Sequence, residues 1–168
     1  MFAIGEHVIH PGQGVCTVTG FEDEPAPMIV LEAKRGLTTT RMRYPVAQAK
    51  RLHACISQEE AEHLLEHYAD LECDSFTERN SALEETYFKG RIKRGAPDTV
   101  CVAKTMRRRI QDAIKRDKRP SSYYTRVLKE AHRRAVEELA VALDQSEDDV
   151  AARIDELVAP APGSPSVN

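Results

Sequence analysis

His63 and His67 stand four residues apart in "SQEEAEHLLEHYADLECD", among Glu59, Glu60, Glu62, Glu66, Asp70, Glu72 and Asp74. On a helix that spacing puts two imidazoles on one face, which is how many protein metal sites begin. No third ligand follows from the spacing, and such pairs are common on ordinary amphipathic helices, so no metal is expected. The four cysteines, Cys16, Cys55, Cys73 and Cys101, lie 39, 18 and 28 positions apart. Without a C-x-x-C pair, neither a zinc ribbon nor thioredoxin chemistry is supported. The thiols read as reduced cysteines of a cytoplasmic protein, although spacing alone leaves disulfides open. His53 with Cys55, and His132 on a basic stretch, lack a third partner for nucleophilic catalysis. There is no G-x-x-x-x-G-K-[ST], no G-x-S-x-G and no Gly-rich dinucleotide fingerprint. The chain is therefore not expected to be an enzyme, and it calls for no cofactor and no small-molecule substrate.

Charge is the stronger signal. The 168 residues carry a net charge of −3, yet residues 87–134 hold 16 Lys and Arg against 4 Asp and Glu. Residues 57–86 hold 1 against 10, and residues 135–168 hold 1 against 8. Such segregation points to a polyanion partner, DNA or RNA phosphate being the natural one. The acidic segment can pair with the basic one inside the fold or repel nucleic acid from the wrong face. No run is long and apolar enough for a membrane span, and "MFAIGEHVIH" has no secretory character.

The elements that must position these charges divide near residue 56. Before it, "VCTVTGF", "PMIVLEA" and "LTTTRMRYP" read as short strands separated by turn clusters at "HPGQG", "EDEPAP" and "KRG". So many strands in so few residues suit a small SH3-like β-barrel. After it the pattern is helical, giving an α+β chain with an all-α domain of about five helices over residues 57–158. Capping boxes at Ser57–Glu60 and Ser75–Glu78 open two helices, Asp98 can cap a third, and "RPSS" restarts a long fourth. Ser146 caps a short fifth. The tail over residues 159–168, rich in Pro, Gly and Ser, is expected to be disordered.

Projected at about 100° per residue, the third helix puts Val102, Met106, Ile110 and Ile114 on one flank. Lys104, Arg107, Arg108, Lys115, Lys118 and Arg119 fall opposite. "YFKGRIKRG" adds Lys89, Arg91, Lys93 and Arg94 on an expected loop beside Tyr87 and Phe88, and the fourth helix adds Arg126, Lys129, Arg133 and Arg134. If about 3–5 of these engage phosphates, log K falls with log[salt] at a slope of roughly −3 to −4.5. Nothing reads bases. The helix pair around "RDKRPSS" is a poor helix-turn-helix, because its long second helix has core spacing at Tyr124, Val127, Leu128, Ala131, Ala135, Leu139 and Ala142.

"FAIGEHVIHPGQGVCTVTGFED" resembles the opening of the CarD-like (CdnL) bacterial transcription regulators. "VLEAKRGLTTTRMRYPVAQAKRL" is similar to their continuation, and "RPSSYYTRVLKEAHRRAVEELAVAL" to their long helix. The resemblance spans residues 2 to about 158. It implies a Tudor-like RNA polymerase-interacting domain over residues 1–56, a module also found in transcription-repair coupling factor, and a helical DNA-binding domain after it. It further implies docking on the polymerase β subunit and contact with promoter DNA at the edge of the melted region, stabilising the open complex in a bacterial cytoplasm. The motor of the coupling factor has no room in this chain. Arg41, Arg43 and Pro45 in "RMRYP" match the strand presented to polymerase. Phe76 falls where the family commonly places a minor-groove tryptophan, Arg79 at a basic DNA-contacting position, and Arg126 in the DNA-facing part of the long helix.

The chain departs from the family pattern. It has no tryptophan, so Phe76 would be the wedge, with less area and no indole N–H. Glu78 stands where a second basic residue is expected, and His10 replaces the aromatic before Pro11. DNA contact is therefore expected to lean on Lys89, Arg91, Lys93 and Arg94. Two alternatives stay open: a free-standing non-specific nucleic-acid-binding protein, and a protein–protein adaptor without DNA function.

Overall fold

Alternation of buried and half-buried positions along "GVCTV" and the apolar run "IVL" sets the first layer. In the computed structural model, which describes residues 1–159, these segments belong to β2 (Gly14–Glu22) and β3 (Met28–Arg35). They pair with β1 (His7–His10), β4 (Thr38–Pro45) and a short β5 (His53–Ala54) in an antiparallel sheet of order β4-β3-β2-β1-β5. Strand β5 is too short to announce itself in sequence. Val8, Cys16, Val18, Ile29, Leu31, Ala33 and Leu52 form the core on one face of the sheet. The register of β2 against β3 shifts between Val18 and Gly20, a bulge that increases local twist. His10, in place of the expected aromatic, accepts the amides of Gly12 and Gln13 on Nδ1 at 3.0 Å each and packs edge-on against Tyr44. It thus serves the β1–β2 turn as a polar cap.

Five α-helices follow: α1 (Gln58–Glu66), α2 (Ser81–Arg91), α3 (Ala96–Lys115), α4 (Ser122–Leu143) and α5 (Glu147–Val158). The expected capping box opens α1, with Ser57 Oγ accepting from the Glu60 amide at 3.1 Å and Glu60 Oε2 from the Ser57 amide at 2.8 Å. Ser146 caps α5 through the Asp149 amide. Three local expectations need correction. Ser75–Glu78 does not start a helix: α2 begins only at Ser81, where Asn80 Oδ1 accepts from the Ala82 amide. Lys89 and Arg91 consequently lie on α2, and only Lys93 and Arg94 occupy a turn. Asp98 does not cap α3. Gly95 is the cap residue at φ +124°, while Asp98, in the first turn, binds Arg91.

Helix α4 is the hub because Tyr123, Val127, Ala131, Ala135, Leu139 and Leu143 recur every four residues and are all buried. The four-residue repeat starts at Tyr123, one residue before the Tyr124 inferred from sequence. Toward its start α4 packs with Phe88, Ile92, Val102 and Met106 of the α2–α3 region, and toward its end with Leu65, Val100, Val150 and Ile154. Polar side chains of α4 also seam the helices to the sheet. Arg134 donates to the carbonyls of Pro11 and Gly12 at 2.7 and 3.0 Å, and Glu138 accepts from the Ile56 amide at 3.2 Å. Gly14, at φ +83°, lies so close that a Cβ there would stand 3.3 Å from the Glu137 carboxylate. Burial pushes the Glu138 carboxyl up to about 7, although the amides of Ile56 and Ala96 oppose this. All four cysteines are unpaired thiols. No helix among the described residues is long and apolar enough to cross a membrane. The expected disordered tail lies, from residue 160, outside the described residues.

Candidate nucleic-acid interface

The stretch between α1 and α2 is held extended because side chains take over its backbone polar groups. Thr105 Oγ1 accepts from the Asp74 amide at 2.9 Å, and Asp74 Oδ1 accepts from the Phe76 amide at 2.8 Å. Arg109 donates to the carbonyls of Asp74 and Phe76, and Glu84 accepts from the Glu78 amide at 2.8 Å. These bonds outcompete the capping box read at Ser75. They rest on a buried cluster in which Glu84 receives both Arg109, at 2.9 Å, and the Tyr123 hydroxyl. The Arg109 guanidinium also lies 4.9 Å from the Phe88 ring.

Phe76 is thereby fixed in an extended segment rather than at a helix start. Its half-buried ring stacks on Tyr87, with centroids 3.9 Å apart, and Tyr87 donates its hydroxyl to Asp74 at 2.8 Å. Leu83, one turn before Tyr87 on α2, is 57 % exposed. Phe76, Leu83 and Tyr87 give this side of the helical layer an apolar ridge.

The cations of residues 79–134 sort into two populations. In one, charge is used internally. Arg91 binds Asp74 at 2.7 Å and Asp98 at 2.6 Å, and only a fifth of its side chain is exposed. Burial opposes ionisation of Asp74, but the Phe76 amide, the Tyr87 hydroxyl and Arg91 outweigh it and hold the carboxyl below its ordinary range. Lys104 donates to the carbonyls of Tyr68, Ala69 and Leu71, closing the 3-10 turn that ends the α1 region. Arg107 faces the Tyr68 hydroxyl and His132 Nδ1, at 3.4 and 3.1 Å. Because a guanidinium only donates, His132 Nδ1 is the acceptor of this bond; burial, then Arg107, lowers the His132 pKa. Arg133 lies between Glu130 and Glu137, and Lys89 and Arg126 share Glu85.

In the other population no ion pair forms among the described residues. Arg79 leads into α2, Lys93 and Arg94 occupy the α2–α3 turn, and Arg108, Lys115, Arg116, Lys118 and Arg119 crown the end of α3 and the turn into α4; all are exposed. That turn is closed by Asp117 at φ +54° and by the Lys118 amide donating to the Ala113 carbonyl at 2.9 Å. Cations there also complement the negative end of the α3 dipole. Arg116, Lys118 and Arg119, with Arg109, Thr77 and Tyr124, line an open cleft of about 500 Å³. Sequence projection identified most of this crown but could not rank it above Arg91. The signal it lacked was the position of the acids.

On the sheet, β4 is an edge strand, with Met42 and Tyr44 packed inward and Arg41 and Arg43 exposed on the opposite face. Arg43 pairs with Glu22 at 2.6 Å and donates to the Glu24 carbonyl at 3.3 Å; Pro45 closes the strand. Polymerase-matching and DNA-matching positions therefore lie in different layers of the molecule. The histidine pair of α1 does not spread a ligand set: the rings stack 4.2 Å apart and His67 Nδ1 turns back to the His63 carbonyl. Among the described residues no group of three or more His, Cys, Asp or Glu converges as a metal site. Compared with known protein families and with curated proteins, the chain matches no family model and no curated sequence.

Proposed function

We propose that this chain is a transcription regulator that docks on the RNA polymerase β subunit through its N-terminal sheet and holds promoter DNA with its basic helical face. The observation that carries the DNA half is the set of exposed cations with no ion pair among the described residues: Arg79, Lys93, Arg94, Arg108, Lys115, Arg116, Lys118 and Arg119. With them goes the apolar ridge of Phe76, Leu83 and Tyr87. Cations beside an exposed apolar wedge suit a duplex that is being unstacked at the minor groove. No side chain need read a base, because phosphate contacts are sequence-independent.

The polymerase half rests on the resemblance of the first 50 or so residues to the CarD-like module, read as a Tudor-like barrel. The unpaired edge of β4, bearing Arg41, Arg43 and Pro45, is the kind of surface to which another strand adds. Docking raises the local concentration of DNA, so weak phosphate contacts suffice. A protein that binds the open complex better than the closed one shifts the population toward opening.

The test is the lifetime of promoter open complexes after a heparin challenge, with and without the protein. The reading predicts a longer lifetime that is lost in Arg43→Glu and, separately, in Lys93→Glu with Arg94→Glu. An unchanged lifetime with tight duplex binding in the absence of polymerase would favour a free-standing nucleic-acid-binding protein. An unchanged lifetime without duplex binding would favour an adaptor.

A further inference from the structure

Lys89 on α2 and Arg126 on α4, both expected to contact DNA, converge on a single carboxylate. Lys89 Nζ lies 2.9 Å from Glu85 Oε1, and Arg126 Nη2 lies 3.1 Å from Glu85 Oε2. Each oxygen thus takes one cation. The cation side chains are 57 % and 59 % exposed, whereas that of Glu85 is 15 % exposed. The carboxylate sits beneath two cations whose outer sides face solvent. The Lys89 hydrogen bond holds the Glu85 carboxyl below its ordinary range; burial opposes this and Arg126 reinforces it.

A carboxylate and a phosphodiester each present two anionic oxygens to a pair of donors. Two cations that already grip a carboxylate across two helices are therefore arranged to grip a phosphate. The seat lies on the helix that carries Leu83 and Tyr87 of the apolar ridge. Both cations are more than half exposed, which holds each pair to about 0–1 kcal/mol, so an incoming phosphate can draw them off the carboxylate.

We propose that Lys89 and Arg126 form a phosphate seat for nucleic-acid backbone and that Glu85 is its built-in competitor, occupying the seat until DNA displaces it. This rests on the DNA-binding reading above. Glu85 then lowers the resting affinity of the basic face for duplex in general. Duplex already held close by docking, at high local concentration, still displaces it.

The experiment measures binding of the full chain to a fluorescent 20-base-pair duplex between 50 and 200 mM salt, for wild type and variants. Glu85→Gln keeps the side-chain shape and removes the charge. It is expected to bind roughly three- to tenfold more tightly, with the salt slope steeper by about 0.9, one extra phosphate equivalent. Adding Lys89→Ala and Arg126→Ala to Glu85→Gln should abolish that gain. If the gain persists without both cations, Glu85 acts only as a nearby repelling charge and the proposal is overturned. If Glu85→Gln gives no gain while Lys93→Ala with Arg94→Ala still weakens binding, the proposal fails and the DNA-binding reading stands. If wild type binds no duplex even at 50 mM salt, the underlying reading fails and takes this one with it.

Discussion

Arg91 and Lys93 stand two residues apart, yet they belong to different regions of the molecule. Arg91 is pulled inward to Asp74 and Asp98, while Lys93 is exposed and has no ion pair among the described residues. The same contrast separates Arg109, bound to Glu84 beneath the Phe76 segment, from Arg116, seven residues on at the C-terminal cap of α3. A cation run in sequence therefore holds two populations, one paired with acids of the fold and one without an ion pair among the described residues. What divides them is the placement of a few acids, since a partly buried charge must be paired. The segregated acidic segment thus has a structural use: Asp74, Glu84 and Glu85 together meet Arg91, Arg109, Lys89 and Arg126.

The largest break in this comparison should come from Arg109→Ala. It strands the buried Glu84 carboxylate and the carbonyls of Asp74 and Phe76, and is expected to cost about 3–5 kcal/mol in urea unfolding. Glu138→Gln comes next, and acts through pH. The folded-state pKa, pushed up to about 7 from 4.5, means that the folded chain holds this proton more tightly than the unfolded chain does. Stability from this group is therefore present below pH 4.5 and is lost as pH rises to about 7. Glu138→Gln should remove that loss and gain about 2 kcal/mol at pH 8, checked by unfolding midpoints across pH 5–8.

A sharper pairing follows. Arg91→Ala is expected to lower stability by about 1–2 kcal/mol. Lys93→Ala with Arg94→Ala should change stability by less than about 0.5 kcal/mol, yet weaken duplex binding roughly tenfold in 0.1 M salt. Melting curves and duplex titrations on the same samples would separate the two. The smallest stability effect is that of Arg43→Ala, about 0.5 kcal/mol or less, because its pair with Glu22 is exposed. Its pull-down with the polymerase β subunit should nevertheless fail.

Much of the fold was legible because local chemistry and final structure agree. Strands β2, β3 and β4, the Ser57 box and the Ser146 cap each rest on residues close together in the chain. Ser75 misled for a physical reason. Its helix signal was genuine, but Thr105, Glu84 and Arg109, all distant in sequence from at least part of the segment, claimed its backbone groups first. Strand β5 was invisible because its two residues pair only with β1. For the candidate site, the basic face was readable from charge and periodicity. Which of its members face solvent was not, because that depends on where Asp74, Glu84 and Glu85 come to lie in three dimensions.

The most direct measurement is the salt slope of duplex binding for wild type against Lys93→Ala with Arg94→Ala. With about 3–5 phosphate contacts, wild type should give a slope of roughly −3 to −4.5 and the double variant one shallower by about 1.8. An Arg91→Ala control that stays folded should keep the wild-type slope. If the slope is unchanged by losing Lys93 and Arg94 but collapses on losing Arg91, the division between bracing and available charge is wrong.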